Sequence, residues 1–203
     1  MMNAFTGALV ALLAVALWGV LHSLLAGPRA KRWLHERIGA PADRGYRLFY
    51  NTVAAVTLLP VLAVTARFPG PMLYQIPAPW VFITTAVQLI AVLAIVLTIL
   101  QTGASSFLGV RQLFEPRGSN VSRLQVSGFY RYIRHPLYTA GLAIIWLSPV
   151  MTTSSLALFL GFTLYIVIGS RFEERQLVAE FGEPYLEYRQ EVPALIPQPW
   201  KHS

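Results

Sequence analysis

The chain has 203 residues, of which 55% are hydrophobic and only 12% charged; 16 Lys+Arg stand against 9 Asp+Glu, a net charge of +7. This excludes a disordered chain and argues against an ordinary soluble globule, whose charged share is about 25%. There is no cysteine, which excludes disulfides, thiolate metal sites, Fe–S clusters and a cysteine nucleophile.

A basic balance suits nucleic acid or an anionic membrane surface, and the distribution decides for the membrane. Residues 1–28, 68–110 and 135–170 carry no formal charge, and about 20 apolar residues cross a bilayer core of roughly 30 Å. The first span is expected over Asn3 to Leu25. A cleaved leader is the competing reading, but no basic segment precedes the run and the run is too long. The second span is expected over Tyr46 to Ala66, with a kink at Pro60. Phe68 to Pro79 holds four prolines and one glycine and reads as a loop. The third span follows over Pro79 to Gln101.

The last apolar block, Pro136 to Ser170, is interrupted by a turn-like stretch at Ser148–Ser155. Its two parts of about 13 and 15 residues measure only about 20 and 23 Å as helices. Either they continue past their charged ends, or they form a short hairpin reaching from one face. Both readings gather Arg131, Arg134, His135, Arg171, Glu173 and Glu174 at one mouth. The expected fold is therefore all-α: a polytopic membrane protein with about five transmembrane helices, the last two a short hairpin. The whole chain, 1–203, reads as a single membrane domain. Residues 1–101 form a three-helix N-terminal bundle, and 102–203 a catalytic region with a cytosolic C-terminal segment. Fifteen of the 16 Lys+Arg fall on one side of this arrangement, with Arg67 alone on the other. The N-terminus is accordingly expected outside and the C-terminus in the cytosol.

Polar chemistry concentrates in the last 75 residues. In the run Gly128 to Gly141, Pro136 suits the first turn of a helix. Arg134 and His135 then stand at a helix N-terminus, where free N–H groups and the dipole favour an anion. Tyr138 and Gly141 share a helical face, and Gly141 leaves room for close approach. Taken singly, the arginines serve equally as orientation charges and the tyrosines as an interfacial belt. Opposite an acidic pair, the cluster favours function. Six of the nine acids lie between 173 and 191. Glu180, Glu183, Glu187 and Glu191 suit a solvated helix, whereas Glu173 and Glu174 face the arginines. Glu173, Leu177 and Phe181 form one face of a cytosolic helix broken at Gly182–Pro184. A pocket between anionic and aromatic walls attracts a cationic ligand. His22, Ser23, Tyr46, Arg47, Tyr50 and Asn51 lie at the inner ends of spans one and two, where helix packing is the favoured role over substrate contact. His35 and His202 look incidental. No His/carboxylate spacing resembles a metal-ligand set, and no phosphate loop or dinucleotide fingerprint is present.

The run Arg134-His135-Pro136-Leu137-Tyr138 with Gly141 resembles an R-H-P-x-Y-x-x-G element. It is followed by Glu173-Glu174, by Phe181-Gly182-Glu183-Pro184-Tyr185-Leu186-Glu187-Tyr188, and by Val192-Pro193 and Ile196-Pro197. In order and spacing, over roughly residues 126–198, this resembles the isoprenylcysteine carboxyl methyltransferase-like family of integral-membrane methyltransferases. The first 100 residues match only as hydrophobic spans, while His22-Ser23 and Tyr50-Asn51 look more like bacterial relatives, small-thiol methyltransferases among them.

The resemblance implies S-adenosylmethionine at the cytosolic mouth of the last two spans. It assigns His135, Pro136, Tyr138, Gly141, Glu173, Glu174, Tyr185 and Tyr188 to cofactor binding, and Arg134, Glu173 and Arg189 to catalysis. Tyr185, Tyr188 and Arg189 would form a C-terminal cover. Arg134 would face the methionine carboxylate or an acidic substrate. Relatives often carry a basic residue after Val-Pro; here it is Ala194, which argues against a prenylcysteine carboxylate. The implied reaction is methyl transfer to a carboxylate or thiol of a lipophilic acceptor, with small-thiol S-methylation or phospholipid N-methylation as alternatives. The implied partners are that acceptor and membrane lipids, not nucleic acid. A membrane sterol reductase would be much longer. A membrane scaffold or accessory subunit remains the non-enzyme alternative, and substitution of Glu173 separates it from an enzyme.

Overall fold

A computed structural model describes residues 4–114 and 124–197. The basic positions Arg117, Arg123 and Lys201, and His202, lie outside the described residues, as does the start of the first expected span at Asn3. Nine α-helices are present among the described residues: α1 (Ala4–Ala26), α2 (Pro28–Ile38), α3 (Ala40–Arg67), α4 (Trp80–Thr102), α5 (Ala104–Leu108), α6 (Arg111–Phe114), α7 (Pro136–Trp146), α8 (Thr153–Phe181) and α9 (Glu183–Glu191). Strand β1 (Met72–Gln75) precedes α4, and β2 (Val150–Thr152) precedes α8.

Among the described residues four helices are long and apolar enough to cross a membrane: α1, α3, α4 and α8. Their apolar side chains are widely exposed, Leu17 by 71% and Leu89 and Ile90 each by 65%. In water that exposure would be unfavourable by about 25 cal/mol per Å²; in lipid it costs nothing. The chain is thus an all-α integral membrane protein. The fourth expected span is not full length. At 11 residues, α7 is only about 16 Å long. The 29-residue α8 instead runs about 43 Å, carrying Glu173 and Glu174 on the same rod as its apolar half. Of the two readings of this hairpin, α8 continues past its charged end and α7 stays short.

Two further differences concern segments expected as loops. Residues 28–38 form α2, and α3 begins at Ala40, running on through Pro60. The Pro-rich stretch holds β1, which pairs antiparallel with β2, Met72 opposite Thr152 and Gln75 opposite Val150. Strands of four and three residues lie at or below the shortest length at which alternation is readable.

The chain divides into two compact units. The first holds α1–α3, the ribbon, α5, α6 and α8 up to Phe162. Its core is Val15, Val61 and Leu158, flanked by Trp18, Leu58 and Phe162. Gly161 permits the close approach there, since a Cβ would stand 2.4 Å from Val15 Cγ1. The second unit holds α4, α7, α9, the connecting segments and α8 from Thr163. Here α4 packs along α7, and Gln88 Nε2 donates to Ile144 O (2.7 Å). Trp146 Nε1 donates to Thr163 Oγ1 (2.9 Å). The third span belongs with the hairpin because it supplies the wall that the short α7 needs.

Candidate active site

The candidate site lies wholly within the second unit. His135 is the N-cap of α7 and Pro136 its first residue, so the backbone turns into the helix just after the basic pair. The N–H groups of Arg134 and His135 donate to Pro193 O (2.9 Å) and Ala194 O (3.1 Å). Thr139 Oγ1 donates to Leu195 O (2.6 Å). These backbone donors were expected to await an anionic ligand; the chain's own C-terminal segment takes them. The same bonds strap residues 193–195 across the mouth of α7.

Glu173 and Glu174 are consecutive on α8, so they point about 100° apart and do different things. Glu174 Oε1 accepts from Arg134 Nε (2.9 Å) and Nη2 (2.6 Å), and lies 3.3 Å from His135 Nε2. Arg134 Nη1 donates to the carbonyls of Arg189 (2.9 Å) and Val192. The Arg134 side chain is 10% exposed and that of Glu174 16%. The structure therefore gives Arg134 a partner other than a ligand carboxylate: it ties α7's entrance to α8 and to the end of α9. An arginine suits this role because its planar fork serves several acceptors at once. Arg189 contributes its carbonyl, and the residue itself is exposed.

Glu173 is 46% exposed at its side chain. Its Oε2 accepts from Tyr138 Oη (2.9 Å) and stands 3.6 Å from His135 Nδ1. His135 is buried and stacks on Tyr138, with ring centroids 5.4 Å apart. The imidazole thus sits between the two carboxylates. Of the six residues expected at this mouth, Arg134, His135, Glu173 and Glu174 are brought together; Arg131 lines a neighbouring cavity and Arg171 is exposed. At Gly141 no atom outside its own helix turn lies within 4 Å of where a Cβ would be, so the room it leaves is open rather than filled by a helix.

Two cavities adjoin this network. The smaller, about 260 Å³, is lined by Arg134, Glu173, Tyr130, Tyr185 and Tyr188, with Phe181 and Leu177. The larger, about 980 Å³, is bordered by Arg131, Glu187, Glu191 and Tyr188; Leu124 and Tyr188 line both. Tyr188 Oη donates to Tyr130 O (2.5 Å). Tyr185 is 1% exposed; its Oη makes no hydrogen bond of good geometry, although the Arg134 side chain lies within reach and opposes the rise in its pKa. Burial, and next the Glu174 carboxylate, push the Tyr185 phenol up to about 12. Burial and the neighbouring Tyr185 raise Tyr188 further, and burial with Glu173 raises Tyr130. All three are neutral phenols at pH 7. Tyr130 and Thr139 were not singled out in the sequence, although Thr139 lies one turn after His135 and so shares its face.

The N-terminal polar residues act within the first unit. Tyr50 Oη lies 2.7 Å from His22 Nε2, and Trp18 stacks on His22 with centroids 4.9 Å apart. Asn51 Nδ2 donates to the carbonyls of Phe107 (3.0 Å) and Leu108 (3.1 Å), and Arg47 Nη1 to Ser106 O (2.8 Å). These bonds join α1 to α3 and α3 to α5.

Fold and site together define an integral membrane protein of the isoprenylcysteine carboxyl methyltransferase-like class. Within it, the chain belongs to the NnrU protein family, whose profile matches residues 10–196. It is similar to methanethiol S-methyltransferase 2 of Bradyrhizobium diazoefficiens, at 31% identity over 94% of this chain and 73% of that protein. It is also similar to a methanethiol S-methyltransferase of Crocosphaera subtropica, at 29% identity over 92% of this chain and 74% of the other. No solved structure matches the chain.

Proposed function

We propose that this membrane methyltransferase moves the methyl group of S-adenosylmethionine to the sulfur of a small thiol, at the cytosolic end of α7 and α8. The observation that carries the thiol reading is a half-exposed carboxylate, Glu173, held by Tyr138 and facing His135. A carboxylate acceptor is already ionised at pH 7 and needs no base. A thiol, protonated at pH 7 (a free Cys ionises only at about pH 8.5), must lose its proton to attack. The relatives named above carry the same acceptor class in their names.

The residues fit the cofactor. A sulfonium is a cation, and the smaller cavity offers it Glu173 and the rings of Tyr130, Tyr185 and Tyr188, which stabilise positive charge at their faces. The buried Tyr185 Oη, close to Arg134 and Glu174, adds a phenol that can both donate to and accept from a bound polar group. When bound, the cofactor supplies a methyl group on a sulfonium that a thiolate sulfur displaces in line, leaving a thioether and a neutral sulfide. The chain contributes alignment and proton acceptance: Glu173 takes the thiol proton, and Tyr138 fixes the carboxylate's orientation. Glu174 and Arg134 are positioning residues, locking His135 and the strap at 193–195. Pro136 and Gly141 shape the wall, and Arg189 closes the cover through its backbone.

The test is methyl transfer by the purified protein from isotopically labelled S-adenosylmethionine to methanethiol, read as labelled dimethyl sulfide in the headspace. Glu173→Gln should lower kcat about 10²- to 10⁴-fold, the usual worth of a general base. Calorimetry should show its cofactor binding weakened, because the sulfonium loses the Glu173 carboxylate, while the fold is kept. A base-labile methyl ester formed in membrane extracts, with no dimethyl sulfide, would transfer the assignment to a carboxylate acceptor.

A further inference from the structure

The α1–α3 connection plays no part in this chemistry, and its composition is unusual for a short link. Of the 11 residues of α2, Arg29, Lys31, Arg32 and Arg37 are basic and Glu36 alone is acidic, and none is buried. The helix joins the ends of two membrane spans, so it must lie at the membrane surface. Gly39, at φ +76°, makes the turn into α3 that a side chain would resist. His35 Nδ1 and Asp43 Oδ2, 2.9 Å apart, tie α2 back to α3.

Two apolar side chains on this basic helix remain uncovered. Trp33 and Ile38 are each 56% exposed, while Ala30 and Leu34 are partly buried. The Arg37 guanidinium lies over the Trp33 ring, 5.1 Å from its centroid, which sets a positive charge and an indole at one depth. Trp is enriched where headgroups meet acyl chains, and basic amphipathic helices bind that boundary through apolar area together with charge.

We infer that α2 is an interfacial clamp for anionic phospholipids. Arg29, Lys31, Arg32 and Arg37 hold the phosphates, while Trp33 and Ile38 enter the acyl boundary. A free phosphate would satisfy the charges and leave the apolar pair in water, so the lipid is the occupant that uses every feature. Each basic residue near an anionic surface adds to the attraction, which is screened within about 8 Å at physiological salt.

The full chain is reconstituted in phosphatidylcholine vesicles with spin-labelled phosphatidylglycerol or spin-labelled phosphatidylcholine, and the motionally restricted fraction of each probe is measured. The expected preference for phosphatidylglycerol is about threefold, falling towards unity in molar salt. R29Q/K31Q/R32Q should abolish it while keeping the wild-type circular dichroism, and R171Q/R175Q should retain it. Millimolar phosphate at constant ionic strength should leave it unchanged. Quenching by brominated phospholipids should lose its largest component in Trp33→Phe. Persistence of the preference in the α2 variant, equal loss in both variants, or abolition by phosphate would overturn the inference.

Discussion

Both units carry polar side chains on otherwise apolar helices, and they use them differently. In the first, His22, Tyr50 and Trp18 form a ring-on-ring cluster, and Asn51 is satisfied by two carbonyls. These contacts are with aromatic rings, a hydroxyl and backbone carbonyls. In the second, two carboxylates, a guanidinium and an imidazole share one network beside two cavities. A neutral bonded pair asks little of an apolar surrounding. A shielded ion pair must recover several kcal/mol of desolvation per charge, and here it also fixes a strap and a base. The contrast separates polar groups that pack helices from polar groups that build a site.

The largest loss should come from splitting the ion pair. Glu174→Ala leaves Arg134 uncompensated at 10% side-chain exposure, and breaking a buried pair costs about 3–5 kcal/mol. The second unit should lose thermal stability and cofactor binding together. Glu173→Gln, by contrast, removes a half-exposed group and should cost little stability, its loss falling on kcat and cofactor binding. A thermal melt and a calorimetric titration on each variant break the comparison if Glu173→Gln melts as early as Glu174→Ala.

The next effect is alkaline. The Tyr185 phenol stands at about 12 in the folded state against 10 when unfolded, and Tyr188 is raised in the same direction. A raised folded pKa adds stability that is complete below pH 10 and is lost as pH climbs from 10 through about 12. Thermal stability should therefore fall steeply in that window. Y185F/Y188F should flatten the fall, and Y185F alone should keep the melting temperature at pH 7. Tyr185→Phe should also weaken cofactor binding by about 0.5–1.5 kcal/mol, the net worth of one hydrogen bond, readable by titration.

Much of this was legible in the sequence, and the illegible parts share a cause. Uncharged blocks marked α1, α4 and the apolar part of α8, and an apolar run marked α3, because a bilayer imposes a length. The juxtaposition of Arg134 and His135 with Glu173 and Glu174 followed from a hairpin with charged ends. The lengths of α7 and α8 did not follow, because two unequal rods have the same apolar total as two equal ones. The strap escaped because Pro193, Ala194 and Leu195 bond through backbone carbonyls, which every residue owns. Arg134 looked like a ligand-facing charge for the same reason: its competitors, the carbonyls of Arg189 and Val192, leave no mark on side-chain identity. The two-unit division was hidden too, since α4 announces its apolarity but not its neighbour.

The smallest effect belongs to the first unit and sharpens the contrast most. Tyr50→Phe removes the Tyr50–His22 bond and leaves the ring in place. Hydrogen bonds between helices in membranes average about 0.6 kcal/mol in double-mutant cycles, because a side chain released in lipid finds another partner. The variant should melt only slightly earlier, and kcat/KM per folded molecule should match the wild type. A Tyr50→Phe/His22→Phe double variant should be no less stable than His22→Phe alone, since the bond is already lost. If Tyr50→Phe instead lowers kcat at unchanged stability, the His22–Tyr50 pair takes part in turnover, and the division between packing and chemistry drawn above falls.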